Sequence, residues 1–168
     1  MTNFADFYKK WQGKPCEVED PTNIFQCYDL CFAYCDFINI PRSAIRHLNA
    51  FQIWTQPNDE TIKYFEMIPN TPNGVPQVGD IVIFSTLVGP AGHFSLANGT
   101  GDSNSFVSFE QNWAGKKFAT LVTHQYEGVL GWLRLRDQPN EPGLPVITDQ
   151  TRIPQIEPSC FPTATPLT

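Results

Sequence analysis

The sequence contains no run approaching the roughly 18 consecutive apolar residues of a membrane-spanning helix, so no segment is expected to cross a bilayer in that form. It also lacks a basic cluster; Lys9-Lys10 and Lys116-Lys117 come nearest. With 11 Lys and Arg against 17 Asp and Glu, the formal charge is −6. That balance argues against binding nucleic acid or an anionic membrane through a positive patch. The first residues, Met1-Thr2-Asn3-Phe4-Ala5-Asp6-Phe7, have neither the basic region nor the apolar run of a signal peptide. No Cys or His spacing matches a zinc ribbon, a finger or an HExxH helix. A disulfide framework is missing too. The five cysteines are Cys16, Cys27, Cys31, Cys35 and Cys160, an odd number with three on one short predicted helix. Synthesis in a reducing cytoplasm, with at least one free thiol, is the expectation.

What is present is a globular composition of 168 residues, 41% apolar, enough for one domain with a real core. Phe4, Phe7, Tyr8 and Trp11 recur at helical spacing behind a Thr2/Asn3 cap. After a loop rich in Glu17, Glu19 and Asp20, Asn23 is expected to cap a second helix, with Gln26 completing a capping box. That helix should run to about Phe37 or Asn39 and stop before Pro41. Two shorter helical pieces are expected near Ser43–Phe51 and Asp59–Met67. From Pro76 onward the pattern changes to strands: Ile81–Phe84, His93–Ala97, Ser105–Trp113, Lys117–Thr123 and Val129–Leu135. Gly89-Pro90, Asn98-Gly99-Thr100-Gly101-Asp102 and Glu127-Gly128 are the turns. Helices first and an antiparallel sheet of about five strands second define an α+β domain over residues 1–137. The 31 residues from Gln138 hold 7 of the 15 prolines and should form an extended tail that docks on its own domain or on a partner.

Three polar groups stand out within this frame. Cys27 falls at the start of the second helix, where unpaired backbone N–H groups and the helix dipole favour an anion. Burial in the core is the common fate of cysteine, and Cys31 and Cys35, at i+4 and i+8, fit it better than Cys27 does. His93 opens a strand behind Gly92, which lets backbone or substrate approach closely. His47 reads as exposed in Arg46-His47-Leu48-Asn49, whereas His124, after Val122-Thr123 on a late strand, remains a competitor. Glu110 and Asn112 are i and i+2 on one predicted strand and so share a face, one to orient a histidine and the other to support it. Trp113 would then point to the opposite face, into the core. A thiol, an imidazole and a carboxylate or carboxamide are the parts of a Cys-His nucleophilic machine.

Taken in order, these segments resemble a CHAP domain, the cysteine, histidine-dependent amidohydrolase/peptidase family of the papain-like, NlpC/P60-related clan. Phe25-Gln26-Cys27-Tyr28-Asp29-Leu30 is similar to its nucleophile motif. Ile68-Pro69-Asn70-Thr71-Pro72 and Val75–Phe84 are similar to the approach to its first core strand. Gly92-His93-Phe94 is similar to the histidine motif, Phe109-Glu110-Gln111-Asn112-Trp113 to the acidic motif, and Gly131-Trp132-Leu133-Arg134 to the closing strand. The Asn-Thr-Pro and Glu-Gln-Asn-Trp segments are most like those of bacteriophage lysins. The resemblance implies a papain-like fold and a peptidoglycan hydrolase that cuts an amide bond, as endopeptidase or N-acetylmuramoyl-L-alanine amidase. It assigns Cys27 as nucleophile, His93 as general base and Glu110 as its orienter, with Asn112 in support. Some phage members bind calcium through alternating aspartates ahead of the cysteine. Here Val18, Thr22 and Ile24 occupy such positions, and Asp20 and Asp29 are the candidate ligands left, too few for a cation that takes about six to eight oxygens. No cofactor is therefore expected to be required. The expected partners are peptidoglycan and, through the tail, phage tail proteins. The chain would work in a virion tail or wait in the host cytoplasm for release to the wall. A virion structural or adaptor protein that keeps this fold without activity is the alternative.

Overall fold

A computed structural model describes residues 3–19 and 24–137. The expected extended tail from Gln138 onward, and with it the expected domain boundary, lies outside the described residues. Helix α1 (Phe4–Trp11) starts where Asn3 accepts a hydrogen bond from the Asp6 N–H at 2.9 Å, and it buries Phe4, Phe7 and Tyr8. Helix α2 (Cys27–Phe37) is followed by a tight turn at Arg42–Ile45 and the short helices α3 (Gln52–Thr55) and α4 (Asp59–Tyr64). Six strands follow: β1 (Phe65–Pro69), β2 (Ile81–Phe84), β3 (His93–Gly101), β4 (Ser105–Glu110), β5 (Thr120–Gln125) and β6 (Val129–Leu135). They form one antiparallel sheet in the order β1-β6-β2-β3-β4-β5. The architecture is α+β, as expected.

The period-two alternation of the strands builds two faces. Ile81, Ile83, Phe94, Leu96 and Phe109 pack with Phe7, Leu30, Phe32 and Tyr34 in the main core between sheet and helices. Val82, Phe84, Ala97, Phe106 and Trp132 form a smaller cluster from the alternate positions. His93 lies opposite Phe84 in the β2–β3 register, and His124 opposite Phe106 in the β4–β5 register. Ser108 and Glu110 are two and four residues beyond Phe106. The polar residues that matter below therefore share the parity of the smaller cluster.

Several expected boundaries move. The helix expected to reach Met67 stops at Tyr64, and Phe65–Pro69 pairs with β6 as a sixth strand. Asn58 caps α4 through the Thr61 N–H, but Phe65 is extended, and strand pairing then overrides helix propensity. The piece expected at Ser43–Phe51 divides into the turn at Arg42–Ile45 and α3, because the chain is already extended at Arg46. Strand β3 runs on to Gly101 and absorbs the expected turn glycines in a bulge between Ala97 and Gly101. Strand β4 ends at Glu110, and β5 reaches Gln125, which puts His124 inside it.

Gly92 sets the entry into β3. Its φ is +67°, and a Cβ there would lie 2.4 Å from the Phe84 carbonyl oxygen. The close approach read from the sequence is thus made by the backbone of β2. Gly92→Ala is expected to lower stability by about 1–3 kcal/mol, through strain and the forced separation of the two strands. Urea denaturation followed by circular dichroism measures it; an unchanged midpoint would show that the turn relaxes freely.

Candidate functional site

Helix α2 begins at the cysteine itself. Phe25 takes a left-handed conformation (φ 53°) and Gln26 is extended (φ −75°, ψ 162°), so the chain turns sharply and enters the helix at Cys27. The expected cap at Asn23 lies outside the described residues. The cap in place is Gln26, with Asp29 supplying the return half of the capping box: its Oδ2 accepts the Gln26 N–H at 2.7 Å. Oδ1 of Asp29 accepts the Val18 N–H at 3.3 Å, and Glu17 accepts the Phe25 N–H at 3.1 Å. Burial pushes the Asp29 carboxyl up to about 6, against the pull of these N–H donors. Half-buried Cys27 therefore occupies the first helical position, where N–H groups point outward without helical acceptors.

Gln111, which the sequence reading passed over, ties this turn down. Its Oε1 accepts the Cys16 N–H at 2.7 Å, and its Nε2 donates to the Cys16 carbonyl at 2.8 Å and the Gln26 carbonyl at 3.0 Å. One buried carboxamide thus joins the loop before α2, the helix cap and the end of β4. The signal available in the sequence was its place beside Glu110; a buried amide looks like an exposed one until its partners are known.

Cys27 and His93 line the same cleft, near enough for the sulfur to act on the imidazole. Nε2 of His93 lies 2.6 Å from Glu110 Oε2, which leaves Nδ1 for the sulfur. Glu110 is buried to 1% exposure, and three groups surround its carboxylate. Besides His93, the Ser108 hydroxyl donates to Oε1 at 2.6 Å, and His124 Nε2 is hydrogen-bonded to that same oxygen. Burial alone would raise the Glu110 carboxyl, but the charges and hydrogen bonds of His124 and His93 outweigh it and hold it near 2. Burial would lower His93; the charge and hydrogen bond of Cys27, followed by those of Glu110, raise it instead to about 10. The arrangement favours an imidazolium at His93 backed by an ionised Glu110.

Of the expected site residues, Cys27, His93 and Glu110 come together in one line. Asn112 reaches the same cleft in a different manner. Because β4 ends at Glu110, Asn112 lies beyond the strand and does not share the face expected of it. Asn112 has φ 64°, donates to Gln26 Oε1 at 3.2 Å and accepts from Lys117 Nζ at 2.6 Å. Trp113 is not the core residue expected. Its ring lies 5.1 Å from that of His93 and packs edge-on against His124 at 4.6 Å, forming a wall of the cleft. His47 bonds the Gln56 carbonyl at 2.7 Å. Cys31 and Cys35 are buried as expected. The cleft over the thiol has a volume of about 320 Å³ and is lined by Gln26, Tyr28, Leu48, His93 and Trp113 among others.

The calcium candidates fare differently. Asp20 lies outside the described residues. Both oxygens of Asp29 are engaged by backbone N–H groups, so its carboxylate serves the helix cap. Among the described residues no group of three or more His, Cys, Asp or Glu side chains could hold a metal ion.

No family model matches the chain. Over 99 residues, 58% of the chain, it is 37% identical to a protein named Probable autolysin PH from Staphylococcus aureus, of which it spans 20%. Its fold is similar to the crystal structure of the endolysin LysIME-EF1, with a TM-score of 0.62, 25% identity, and coverage of 80% of this chain and 65% of that one. It is also similar in fold to Ly7917, solved with the hydrolyzing product of MDP, at a TM-score of 0.58 and 18% identity over 80% of this chain and 63% of that one. The chain therefore spans a fifth of the autolysin and just under two thirds of each of the two solved chains, with which it shares the mixed α+β fold.

Proposed function

We propose that this chain is a cysteine hydrolase of the CHAP type that cleaves an amide bond in bacterial peptidoglycan. The observation that carries the reading is the line Cys27–His93–Glu110: a thiol at a helix N-terminus, an imidazole, and a buried carboxylate on the far ring nitrogen. The likeness to a probable autolysin and to an endolysin supports the substrate class. On this reading the chain would work at the bacterial wall, after release from a host cell or from a virion tail.

The chemistry follows from the groups present. The Cys27 proton passes to His93 Nδ1, and the sulfur attacks the carbonyl carbon of the scissile amide. Negative charge develops on the carbonyl oxygen and is met by backbone N–H groups at the start of α2. As the C–N bond breaks, the imidazolium returns its proton to the leaving amine, and the acyl group stays on sulfur as a thioester. A water molecule, deprotonated by His93, then releases the acid and regenerates the thiol. Glu110 holds the Nε2–H tautomer and stabilises the imidazolium in both halves. The 320 Å³ cleft, lined by Cys27 and His93, is where the scissile amide would sit. No step is routed through calcium.

Turbidity loss of purified cell walls tests the reading. Cys27→Ala should abolish clearance, and Glu110→Gln should reduce it by about 10²- to 10⁴-fold. Equal clearance by wild type and Cys27→Ala would remove Cys27 as nucleophile, and absence of clearance by wild type would favour a structural role. Mass spectrometry of the released muropeptides identifies the new amine and hence the bond. The pH dependence has a defined sign. His93 is raised from 6.5 to about 10, so its protonated form contributes fully to stability below pH 6.5 and ceases to do so as pH rises through about 10. Clearance and thermal midpoint should both decline on that alkaline side, and a flat midpoint from pH 6 to 10 would contradict it. Clearance should also survive EDTA at constant ionic strength, since Asp29 is committed to the helix cap; loss of activity restored by added calcium would overturn that expectation.

A further inference from the structure

His124 is a buried titratable side chain that the hydrolysis above does not use. It sits on β5, opposite Phe106, and reaches along the sheet face over Ser108 to Glu110. An ionised carboxylate can only accept, so the imidazole must present Nε2–H to Oε1. The Ser108 hydroxyl donates to that same oxygen at 2.6 Å. Oε2 is left for His93 at 2.6 Å. The remaining ring neighbours of His124 are aromatic: Trp113 at 4.6 Å, Phe84 at 5.0 Å and Phe106 at 5.5 Å. The titratable groups facing it are Glu110 from β4, His93 from β3 beyond that carboxylate, and Cys27 from α2 beyond His93.

We propose that His124, assisted by Ser108, is a positioning residue for the Cys27–His93 pair: by donating to Oε1 it keeps the buried Glu110 ionised and turns Oε2 toward His93. The inference rests on the hydrolase reading of this site. A carboxylate at 1% exposure with too few donors would take up a proton, and a neutral Glu110 would no longer stabilise an imidazolium. The opposing charge and hydrogen bond of His124 are foremost among what holds Glu110 ionised. No proton moves to or from His124 during the cycle; it retains Nε2–H throughout. A merely space-filling ring would serve equally well as phenylalanine, and the two roles separate on that substitution.

The test follows the three histidines of the full chain by NMR with ¹³C-labelled imidazole carbons, His93 being assigned by its loss in His93→Gln. Wild type, His124→Phe, His124→Gln and Ser108→Ala are titrated, with thermal midpoints recorded for each. His124→Phe should lower the His93 midpoint by at least one pH unit, about tenfold in its ionisation constant. His124→Gln places an amide N–H near the position of Nε2 and should retain most of the wild-type value. Ser108→Ala should lower the midpoint by a smaller amount. Equal His93 midpoints in wild type, His124→Phe and Ser108→Ala overturn the proposal, as does a fall in His124→Gln matching that in His124→Phe. Should His124→Phe not fold, a retained value in His124→Gln with a lowered one in Ser108→Ala supports it, and any other pairing of those two overturns it. The titration needs no wall substrate. A wild type that fails to clear walls counts against the hydrolase reading, whereas unshifted variants of an enzyme that clears them count against this inference alone.

Discussion

One buried carboxylate sets the terms for this site. Glu110 is almost wholly removed from water, and an isolated carboxylate in such a place would be protonated. It remains ionised because a serine hydroxyl and two imidazoles converge on it from three strands. The sheet makes this convergence possible. Antiparallel pairing of β3, β4 and β5 places His93, Ser108, Glu110 and His124 on one parity, so that side chains distant in sequence point toward a common space. The aromatic rings of Phe84, Phe106 and Trp113 then exclude water from around them. In that low-dielectric setting each charge-assisted hydrogen bond counts for more than it would at the surface.

The other half of the site is backbone. A left-handed Phe25, an extended Gln26 and the Asp29 capping interaction bring the chain into α2 so that the sulfur is carried by its first residue. Gln111 ties this turn to the end of β4, one residue from Glu110. Cys27 and Glu110 are therefore positioned by a shared anchor rather than by independent loops, which would suit the proposed chemistry, intolerant of errors beyond a fraction of an ångström.

Much of this was legible from local pattern. The strand opening at His93 and the acidic residue at Glu110 each carry a short-range signal, a glycine and an alternation; the helix carrying Cys27 was legible too, but it starts behind Gln26 and not behind the expected cap at Asn23. The α+β order was equally visible, because helical and strand periodicities occupy separate halves of the chain. What was not legible depended on where alternation stops and on which strands pair. Asn112 and Trp113 were misplaced because β4 ends at Glu110, and two positive-φ residues, Asn112 and Ala114, follow and turn the chain. Phe65–Pro69 read as the tail of a helix, because its partner strand lies more than sixty residues away. His124 stayed merely a competitor to His93, since only the β4–β5 register reveals that both serve one carboxylate.

The reach of Gln111 bears on the order in which the chain assembles the surroundings of Cys27. Its partners lie 95 and 85 residues earlier, at Cys16 and Gln26, and His93 and Glu110 also lie far downstream of Cys27. A chain emerging from the ribosome with α1 and α2 complete would carry a cysteine with no base, no carboxylate and an untethered helix cap. Long-range closure of the sheet completes all three together. On the proposed reading, the surroundings of Cys27 are therefore completed by the closing of the sheet and not by the helix that carries the sulfur.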